Sequence, residues 1–397
     1  MLASAEFKLS LLSDLEKDLN QRKLGGLLRQ RRLLDSPQAE HIVANDKQYL
    51  SFCSNDYLGL ANHPALIDAL QAAAGDSGVG SGASCLVTGH HRHHDDLEKA
   101  LAKFVQMPAA LVFSTGYMAN IGVVSSLVGR GDAVFCDKLN HACLNDGAIL
   151  SRADFKRFAH NDVSALEKLL KASTAKRKLI AVDAVFSMDG DIAPLPDYLQ
   201  LCEQYDAYLY VDDAHGFGVI GENGRGCLSH YHLASPRIIY MATLGKAAGV
   251  AGAFVAGQQI VIDYLIQHAR SYVYSTPAPP ALSATLLQSV QIIEAGDDLR
   301  AHLQLLIKTL KANLTCKVWQ LLPSNTAVQP LVVGSNQAVL HLSEHLQSLG
   351  ILVPAIRPPT VPANTGRLRI SLSAAHTEAD VIKLATAINL AEQDLAK

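Results

Sequence analysis

Residues 179–216 read LIAVDAVFSMDGDIAPLPDYLQLCEQYDAYLYVDDAHG. They contain one complete strand–helix–strand pattern, and this pattern decides the fold. The apolar runs at 179–183 and 207–211 have the length and composition of buried strands. The segment between them, 195–206, carries apolar residues at helical spacing. Strand, helix and strand in this order predict two neighbouring strands of an α/β sheet.

The same alternation continues on both sides of this stretch. Further strand candidates lie at 110–113, 133–136, 238–242 and 252–256, and another amphipathic helix is predicted at 162–173. Strands that alternate with helices imply a mostly parallel central sheet covered by helices on both faces. The predicted fold class is therefore α/β.

The flanking segments differ in character from this central part. Residues 1–45 are predicted to form a polar helical arm, and 46–285 a large α/β domain. After about residue 285, long helical patterns and short apolar runs predict a smaller α+β domain over 286–397. PAPP at 277–280 is a plausible joint between the two domains.

Composition excludes several classes of protein. A net charge of −3 over 397 residues gives no broad basic surface for nucleic acid. The seven cysteines lack C-x-x-C spacing, which argues against a thiolate zinc site and a disulfide framework. No run of about 18 apolar residues predicts a membrane span. The first residues do not resemble a signal peptide, so a cytoplasmic protein is expected.

Polar residues follow several of the predicted strands, at the sheet edge where ligands bind in α/β folds. In FSTGYMAN (113–120) a strand ends and a helix begins at Gly116, so backbone N–H groups there would hold an anion. An ordinary strand-to-helix turn is the alternative. Asp212 ends another strand, and a carboxylate in that position needs a cation such as a pyridinium nitrogen. A metal site or a helix cap is the alternative for Asp212.

Lys246 lies in IIYMATLGKAAGVAG (238–252), where its neighbours are small. Small neighbours would let a planar cofactor reach the ε-amine, and burial lowers the pKa of an amine toward nucleophilic use. A lysine in a surface loop is the alternative. Thr243 precedes Lys246 by three residues and is placed to offer a hydroxyl group to a phosphate.

His141 and Ser187 follow two other strands. A lone histidine is more often structural than catalytic. His141 is a candidate catalytic residue only because it lies at the same sheet edge as the other polar residues. An anion site, a strand-end acid and a later lysine among small residues together match the three polar groups of pyridoxal phosphate. The sequence therefore predicts this cofactor, bound as a Schiff base to Lys246.

Several motifs extend the prediction along nearly the whole chain. They are FCSNDYLGL (52–60), GSGAS (80–84), FSMDGD (186–191), VDDAHGFGVIGENGRG (211–226), TLGK (243–246) and YSTPAPP (274–280). With these motifs the sequence resembles the α-oxoamine synthases, which are fold-type I pyridoxal-phosphate transferases. LNHA (139–142), RFAHND (157–162) and AIRPPTVPANTGRLRISLSAAH (355–376) are most similar to the subgroup that serves biotin biosynthesis.

The resemblance implies a role for each matching residue. Lys246 would carry the cofactor, Asp212 would pair with the ring nitrogen, and His141 would stack on the ring. Further cofactor contacts would come from Gly116, Tyr117, Ser187, His215 and Thr243. Substrate contacts would come from Arg29, Asn55, Thr360 and Arg369, the last a candidate for the amino-acid carboxylate. A second subunit completes the site in this family, so Ser275 and Thr276 would reach the phosphate in the other subunit of a homodimer.

For the subgroup, the resemblance implies decarboxylative condensation of L-alanine with a pimeloyl thioester of coenzyme A or a carrier protein, with Lys246 as the base. A synthase such as 2-amino-3-ketobutyrate ligase, which uses glycine and acetyl-CoA, is the alternative, because one methyl group is worth only about 1–3 kcal/mol of discrimination. A nicotinamide dehydrogenase is disfavoured, since no apolar strand leads into GVGSGA (78–83). A relative without catalysis would be expected to lack the lysine or the acid, and both are present.

Three features lie outside these motifs or depart from them. The first is the basic stretch of Arg29, Arg31 and Arg32. It would either receive the pimeloyl carboxylate, for which Arg29 is suited, or attract an acidic carrier protein or the phosphates of coenzyme A. A solvated helix face is the alternative for Arg31 and Arg32. GHHRHHDD (89–96) has residues that ligate zinc, but a helix start with His94 packed near the site is favoured, so no metal is expected. Cys85 stands where many relatives carry a basic residue.

Overall fold

The computed structural model describes residues 10–395, beginning with a polar helix and a short hairpin. Helix α1 (Ser10–Leu24) has no buried residue and ends at the Gly25-Gly26 pair. Strands β1 (His41–Ala44) and β2 (Lys47–Ser51) pair antiparallel. The helical part of the predicted N-terminal arm is thus present, and the part of the arm at residues 1–9 lies outside the described residues.

A seven-stranded sheet forms the centre of the molecule. Its strands are β3 (Ala109–Phe113), β4 (Ala133–Asp137), β5 (Asp154–Phe158), β6 (Lys178–Asp183), β7 (Tyr208–Asp212), β8 (Ile238–Thr243) and β9 (Ala253–Gly257). Their spatial order is β3-β9-β8-β7-β6-β4-β5, and only the two pairs made by β9 are antiparallel. The ends of β4, β6, β7 and β8 therefore meet at one edge of the sheet.

Helices cover both faces of this sheet, and alternate strand residues enter two separate apolar cores. In β7, for example, Leu209 and Val211 belong to one core and Tyr210 to the other. The helices of this part are α2 (Pro64–Ser77), α3 (Arg92–Phe104), α4 (Gly116–Leu127), α5 (Ala142–Ser151), α6 (Val163–Ala172), α7 (Leu195–Gln204), α8 (Cys227–His230), α9 (Gln259–His268), α10 (Arg270–Val273) and α11 (Pro280–Ala295), with a π-helical turn at Cys85–Gly89 and a 3₁₀ turn at Glu222–Gly224.

The C-terminal part combines three helices with short strands. Its elements are α12 (Asp297–Asn313), β10 (Gln320–Leu321), β11 (Val328–Gly334), α13 (Asn336–Ser348), β12 (Ile351–Leu352), β13 (Ala355–Ile356), β14 (Gly366–Ser371) and α14 (Glu378–Leu395). A four-stranded sheet has the order β10-β11-β14-β13, whereas β12 pairs in parallel with β2. The C-terminal part is thereby joined to the N-terminal hairpin through backbone hydrogen bonds.

The α/β class and the mostly parallel sheet are confirmed. The strand between 154 and 158 was not predicted, because its sequence, DFKRF, is mostly polar and exposed and contains no apolar run. The sequence also predicts one long helix over 281–313, but the structure has two, α11 and α12, which are interrupted at Gly296, a residue with low helix propensity. The domain boundaries at 45 and 285 stay a prediction. Among the described residues, no helix is both long and apolar enough to cross a membrane.

Candidate active site

A cavity of about 190 Å³ opens at the carboxyl edge of the central sheet. All eight residues predicted to contact the cofactor line it, namely Gly116, Tyr117, His141, Ser187, Asp212, His215, Thr243 and Lys246. Five further residues complete the lining: Asn120, Cys143, Asp183, Ala214 and Met241. The topology explains this convergence, because these residues lie near the ends of strands or in the first turns of helices at the same edge of the sheet.

Lys246 lies in the loop after β8 and points its amine into the protein. Its Nζ atom is 2.7 Å from Nε2 of His215. Burial lowers the pKa of the Lys246 amine to about 8, although the negative charge of Asp212 opposes this effect. A substantial neutral fraction near neutral pH is what a nucleophilic or basic lysine requires.

Asp212 ends β7 as a buried carboxylate without a cationic side chain bonded to it among the described residues. Its oxygens accept hydrogen bonds from Nδ2 of Asn120 at 2.6 Å and from the backbone N–H of Ala214 at 3.0 Å. Asp183 stands beside it in register on β6. Burial, followed by the charge of Asp212, raises the pKa of Asp183 well above its usual value. Both effects disfavour the ionised form of Asp183.

His141 caps the N-terminus of α5 and faces the open cavity. Its backbone N–H donates to Oδ2 of Asp183 at 2.7 Å, which fixes its position. Nδ1 lies 2.7 Å from Sγ of Cys143 and accepts the backbone N–H of that residue at 3.3 Å. The surrounding protein desolvates the ring and lowers the pKa of His141, so the imidazole is neutral near pH 7.

A second hydrogen-bonded group links Lys246 to a buried arginine. Nδ1 of His215 is 2.6 Å from the hydroxyl of Tyr57, which also contacts Oδ1 of Asn55 at 3.1 Å. The Arg369 guanidinium donates to Asn55 at 3.1 Å and to the carbonyl of Ser187 at 2.6 Å. The Arg369 side chain is almost fully buried, and none of the described ion pairs includes it. A buried guanidinium without a counter-ion is suited to bind a carboxylate.

The start of α4 is the candidate anion site. Thr115 caps this helix by accepting the backbone N–H of Met118 at 3.2 Å. The N–H groups of Gly116 and Tyr117 lie in the first turn of the helix, where no preceding turn offers them an acceptor, so they are available to an anion. Thr243 lies beside Gly116, and its hydroxyl donates to the carbonyl of Gly252 at 3.0 Å.

The loop that carries Ser187 is fixed on both sides. His160 bridges two carboxylates, with Nδ1 3.1 Å from Asp137 and Nε2 2.8 Å from Asp191. Gly190 has a φ of +72°, and a Cβ there would lie 2.4 Å from the Val328 carbonyl oxygen. Only glycine fits this approach without displacing the backbone.

Some predicted residues lie apart from this cavity. Arg29 donates to Oγ1 of Thr360 at 3.1 Å, and both residues are exposed and absent from the cavity lining. Burial and the charge of Arg29 lower the pKa of Arg357, which places a second cation near that pair. Ser275 and Thr276 line a separate small cavity.

The histidine-rich segment is used for helix capping. The His91 side chain accepts the backbone N–H of His93 at 3.2 Å, and Nδ1 of His94 accepts that of His91 at 2.9 Å. His94 is buried and lines the cavity of Ser275 and Thr276, together with Cys85. Within residues 10–395, no group of three His, Cys, Asp or Glu side chains is arranged to hold a metal ion.

Four side chains that form hydrogen bonds in or beside the cavity were not predicted: Asp183, Asn120, Cys143 and Tyr57. Asp183 had a signal, because it ends its strand as Asp212 does. Asn120 and Cys143 lie within the first turns of α4 and α5, where polar residues are common, so nothing marked them. Tyr57 belongs to the motif FCSNDYLGL (52–60), but no role of its own was predicted for it.

Comparison with known proteins identifies the family. The model of the class I and II aminotransferase family matches residues 47–388. A protein of Methylobacillus flagellatus named 8-amino-7-oxononanoate synthase is 56% identical over 389 residues, which cover 98% of each chain. A protein of Nitrosospira multiformis with the same name is 58% identical over 381 residues, or 96% of each chain. The chain belongs to the 8-amino-7-oxononanoate synthase family.

Solved structures agree with this membership and confirm the fold-type I architecture. A serine palmitoyltransferase from S. paucimobilis with bound PLP superposes with a TM-score of 0.92 at 28% identity, covering 98% of this chain and 99% of that one. An 8-amino-7-oxononanoate synthase from Francisella tularensis superposes with a TM-score of 0.77 at 29% identity, over 88% of this chain and 99% of that one.

The residues of the cavity fit pyridoxal phosphate, the cofactor of this family. Asp212 is a buried carboxylate that lacks a cation, which suits a protonated ring nitrogen. The N-terminus of α4 suits the phosphate, and Lys246 offers the aldehyde an amine whose pKa is lowered to about 8. His141 lines the same cavity and would cover one face of the ring. The individual roles of these residues stay predictions.

Proposed function

We propose that this protein condenses L-alanine with a pimeloyl thioester and gives 8-amino-7-oxononanoate, carbon dioxide and a free thiol. The observation that carries the proposal is the full-length identity of 56–58% with relatives that bear the name of this activity. The cavity at the sheet edge supports it, since it holds a lysine and a carboxylate without a bonded cation. The buried Arg369 lies outside the cavity lining and is connected to Lys246 through Tyr57 and His215. This reaction is a step of biotin biosynthesis.

Pyridoxal phosphate supplies the electron sink that makes loss of the alanine Cα proton possible. The Nζ atom of Lys246 would hold the cofactor covalently and, once released by alanine, would accept that proton. Its pKa of about 8 suits both duties, because the neutral amine is then a minor form at physiological pH but far more abundant than for an ordinary lysine. Asp212 would keep the ring nitrogen protonated, and the hydrogen bond from Asn120 holds the carboxylate in place.

Arg369 would bind the carboxylate of alanine. Its guanidinium is held by Ser187 and Asn55, so it is oriented before the substrate arrives. His141 lies between β4 and α5, as the N-cap of α5, and from there a neutral imidazole would donate a proton to the thioester oxygen. The pimeloyl chain would extend toward Arg29 and Thr360, whose side chains already contact each other.

Steady-state assays test the proposal directly. The purified protein with cofactor is given alanine, glycine or serine together with pimeloyl-, acetyl- or succinyl-CoA, and the product is identified by mass. We expect the highest kcat/KM with alanine and pimeloyl-CoA, and no product from Lys246→Ala. A preference for glycine with acetyl-CoA would overturn the biotin assignment. Comparison with a pimeloyl-carrier protein then establishes which acyl donor is used.

We also propose that the enzyme is a cytoplasmic homodimer in which Ser275 and Thr276 contact the phosphate bound by the other subunit. Their separation from the Lys246 cavity within one chain supports this arrangement. Mixing Lys246→Ala with Ser275→Ala/Thr276→Ala subunits tests it. If the sites are shared, one site of the mixed dimer lacks both Lys246 and the Ser275 and Thr276 hydroxyls. The other site then has all three native residues. Recovered activity supports sharing, whereas a monomer in light scattering refutes it.

A further inference from the structure

A chain of buried side chains connects Asp212 to His141. Asn120 and Tyr210 are fully buried, and Cys143 is 2% exposed. The Tyr210 hydroxyl lies 2.7 Å from Oδ1 of Asn120. The Asn120 amide nitrogen lies 2.6 Å from Oδ2 of Asp212 and 2.9 Å from Sγ of Cys143. Sγ of Cys143 in turn lies 2.7 Å from Nδ1 of His141.

The direction of each hydrogen bond follows from chemistry. An ionised carboxylate only accepts, so the Asn120 atom beside Asp212 is the amide nitrogen. The Asn120 carbonyl then accepts the proton of the Tyr210 hydroxyl. The second amide proton goes to Sγ of Cys143, whose own proton is left for His141. The backbone N–H of Cys143 also donates to Nδ1 of His141, at 3.3 Å.

We infer that Tyr210, Asn120 and Cys143 are positioning residues that hold His141 in one tautomer, with its proton on Nε2. In this tautomer Nδ1 accepts from the thiol, and the Nε2 proton is available to a group in the cavity. The chain also ties this tautomer to the ionised state of Asp212, because only a carboxylate requires the Asn120 amide in this orientation. The inference rests on the proposed function only in one respect, namely that the Nε2 proton of His141 is donated to the thioester oxygen.

Cys143 is a thiol rather than a thiolate in this setting. Burial, followed by the charge of Asp212, raises the pKa of Cys143 far above its usual value. The thiol therefore keeps the proton that the chain requires. The titratable groups that face or influence His141 are Asp212 on β7, Lys246 after β8, Asp183 on β6, Tyr117 on α4, Asp146 on α5 and His215 after β7.

The inference is tested by NMR on the protein labelled in histidine, with His141→Gln to assign the signal. In wild type at about pH 8, we expect the nitrogen shifts of His141 to show a bare Nδ1 and a protonated Nε2. Cys143→Ala removes one donor to Nδ1 and should raise the pKa of His141 by about 0.5–1 pH unit. The acid limb of the kcat profile should move with it, and KM for alanine should stay within about two-fold.

Cys143→Ser is the matched control, because its hydroxyl both accepts and donates, and it should restore the wild-type pKa. Tyr210→Phe frees the Asn120 carbonyl and should shift His141 in the same sense as Cys143→Ala. A wild-type signal with the proton on Nδ1, or an unchanged pKa in Cys143→Ala, would overturn the inference. The NMR result does not depend on substrate, so an inactive protein with the expected tautomer would contradict only the proposed function.

Discussion

Replacing His160 by glutamine tests how the loop before Asp191 is held. Burial disfavours the charged imidazole, but the hydrogen bonds to Asp137 and Asp191 outweigh it and raise the pKa of His160 from 6.5 to about 10. One pKa unit corresponds to about 1.4 kcal/mol, so the charged His160 contributes at most about 5 kcal/mol to the free energy of unfolding. The side chain is 28% exposed, and screening by solvent reduces the value to about 2–3 kcal/mol.

The sign of the pH dependence is fixed by the direction of the pKa change. Because the folded pKa lies above 6.5, the ion pairs stabilise the protein fully below about pH 6. Their contribution falls as the pH rises from there and vanishes above about pH 10. His160→Gln should therefore be less stable than wild type by about 2–3 kcal/mol at pH 6, and the two should converge near pH 10.

Urea unfolding of the protein without cofactor, followed by circular dichroism at several pH values, measures this difference. His341→Gln is the matched control, because His341 is exposed on α13 and should give no change at any pH. If His160→Gln loses the same stability at pH 6 and at pH 10, the ion-pair argument is refuted. The loss would then come from altered packing alone.

Further perturbations probe other parts of the site. In the protein without cofactor, labelling of the Lys246 amine by trinitrobenzenesulfonate should rise with pH about a midpoint near 8, because only the neutral amine reacts; a midpoint above 10 would contradict its burial. Arg369→Ala should raise KM for alanine about 10–100-fold with a smaller loss in Arg369→Lys, and an unchanged KM would exclude carboxylate binding. Gly190→Ala should destabilise the protein by about 2–4 kcal/mol in thermal unfolding. Gly78→Ala, at a φ of +74° with no atom within 4 Å, should cost only about 1 kcal/mol.

Much of the fold could be predicted because the strands of the central sheet are buried on both faces. Such strands are continuous apolar runs, and the predicted 179–183 and 207–211 lie within a residue of β6 and β7. β5 escaped detection since an edge strand needs no such run. The break at Gly296 was also missed, because apolar spacing continues across it.

The candidate site could be predicted as far as residues at strand ends. Lys246 and Asp212 carry signals of their own, since a charged side chain next to a buried strand calls for an explanation. Asn120 and Cys143 act through hydrogen bonds that bring α4 and α5 together, and sequence spacing does not encode a contact across two helices. The pairing of Arg369 with Asn55 spans 314 residues and likewise depends on tertiary structure.

The parallel pairing of β2 with β12 has a consequence for synthesis on the ribosome. Leu50 is in register with Ile351, so its partner is made 301 residues later (351 − 50). At about 5–20 residues per second, the hairpin of β1 and β2 waits about 15–60 s with one edge unpaired. An edge left open in this way invites pairing with other chains. Nascent chains that stall before residue 351 should therefore depend on chaperones more than chains that stall just beyond it.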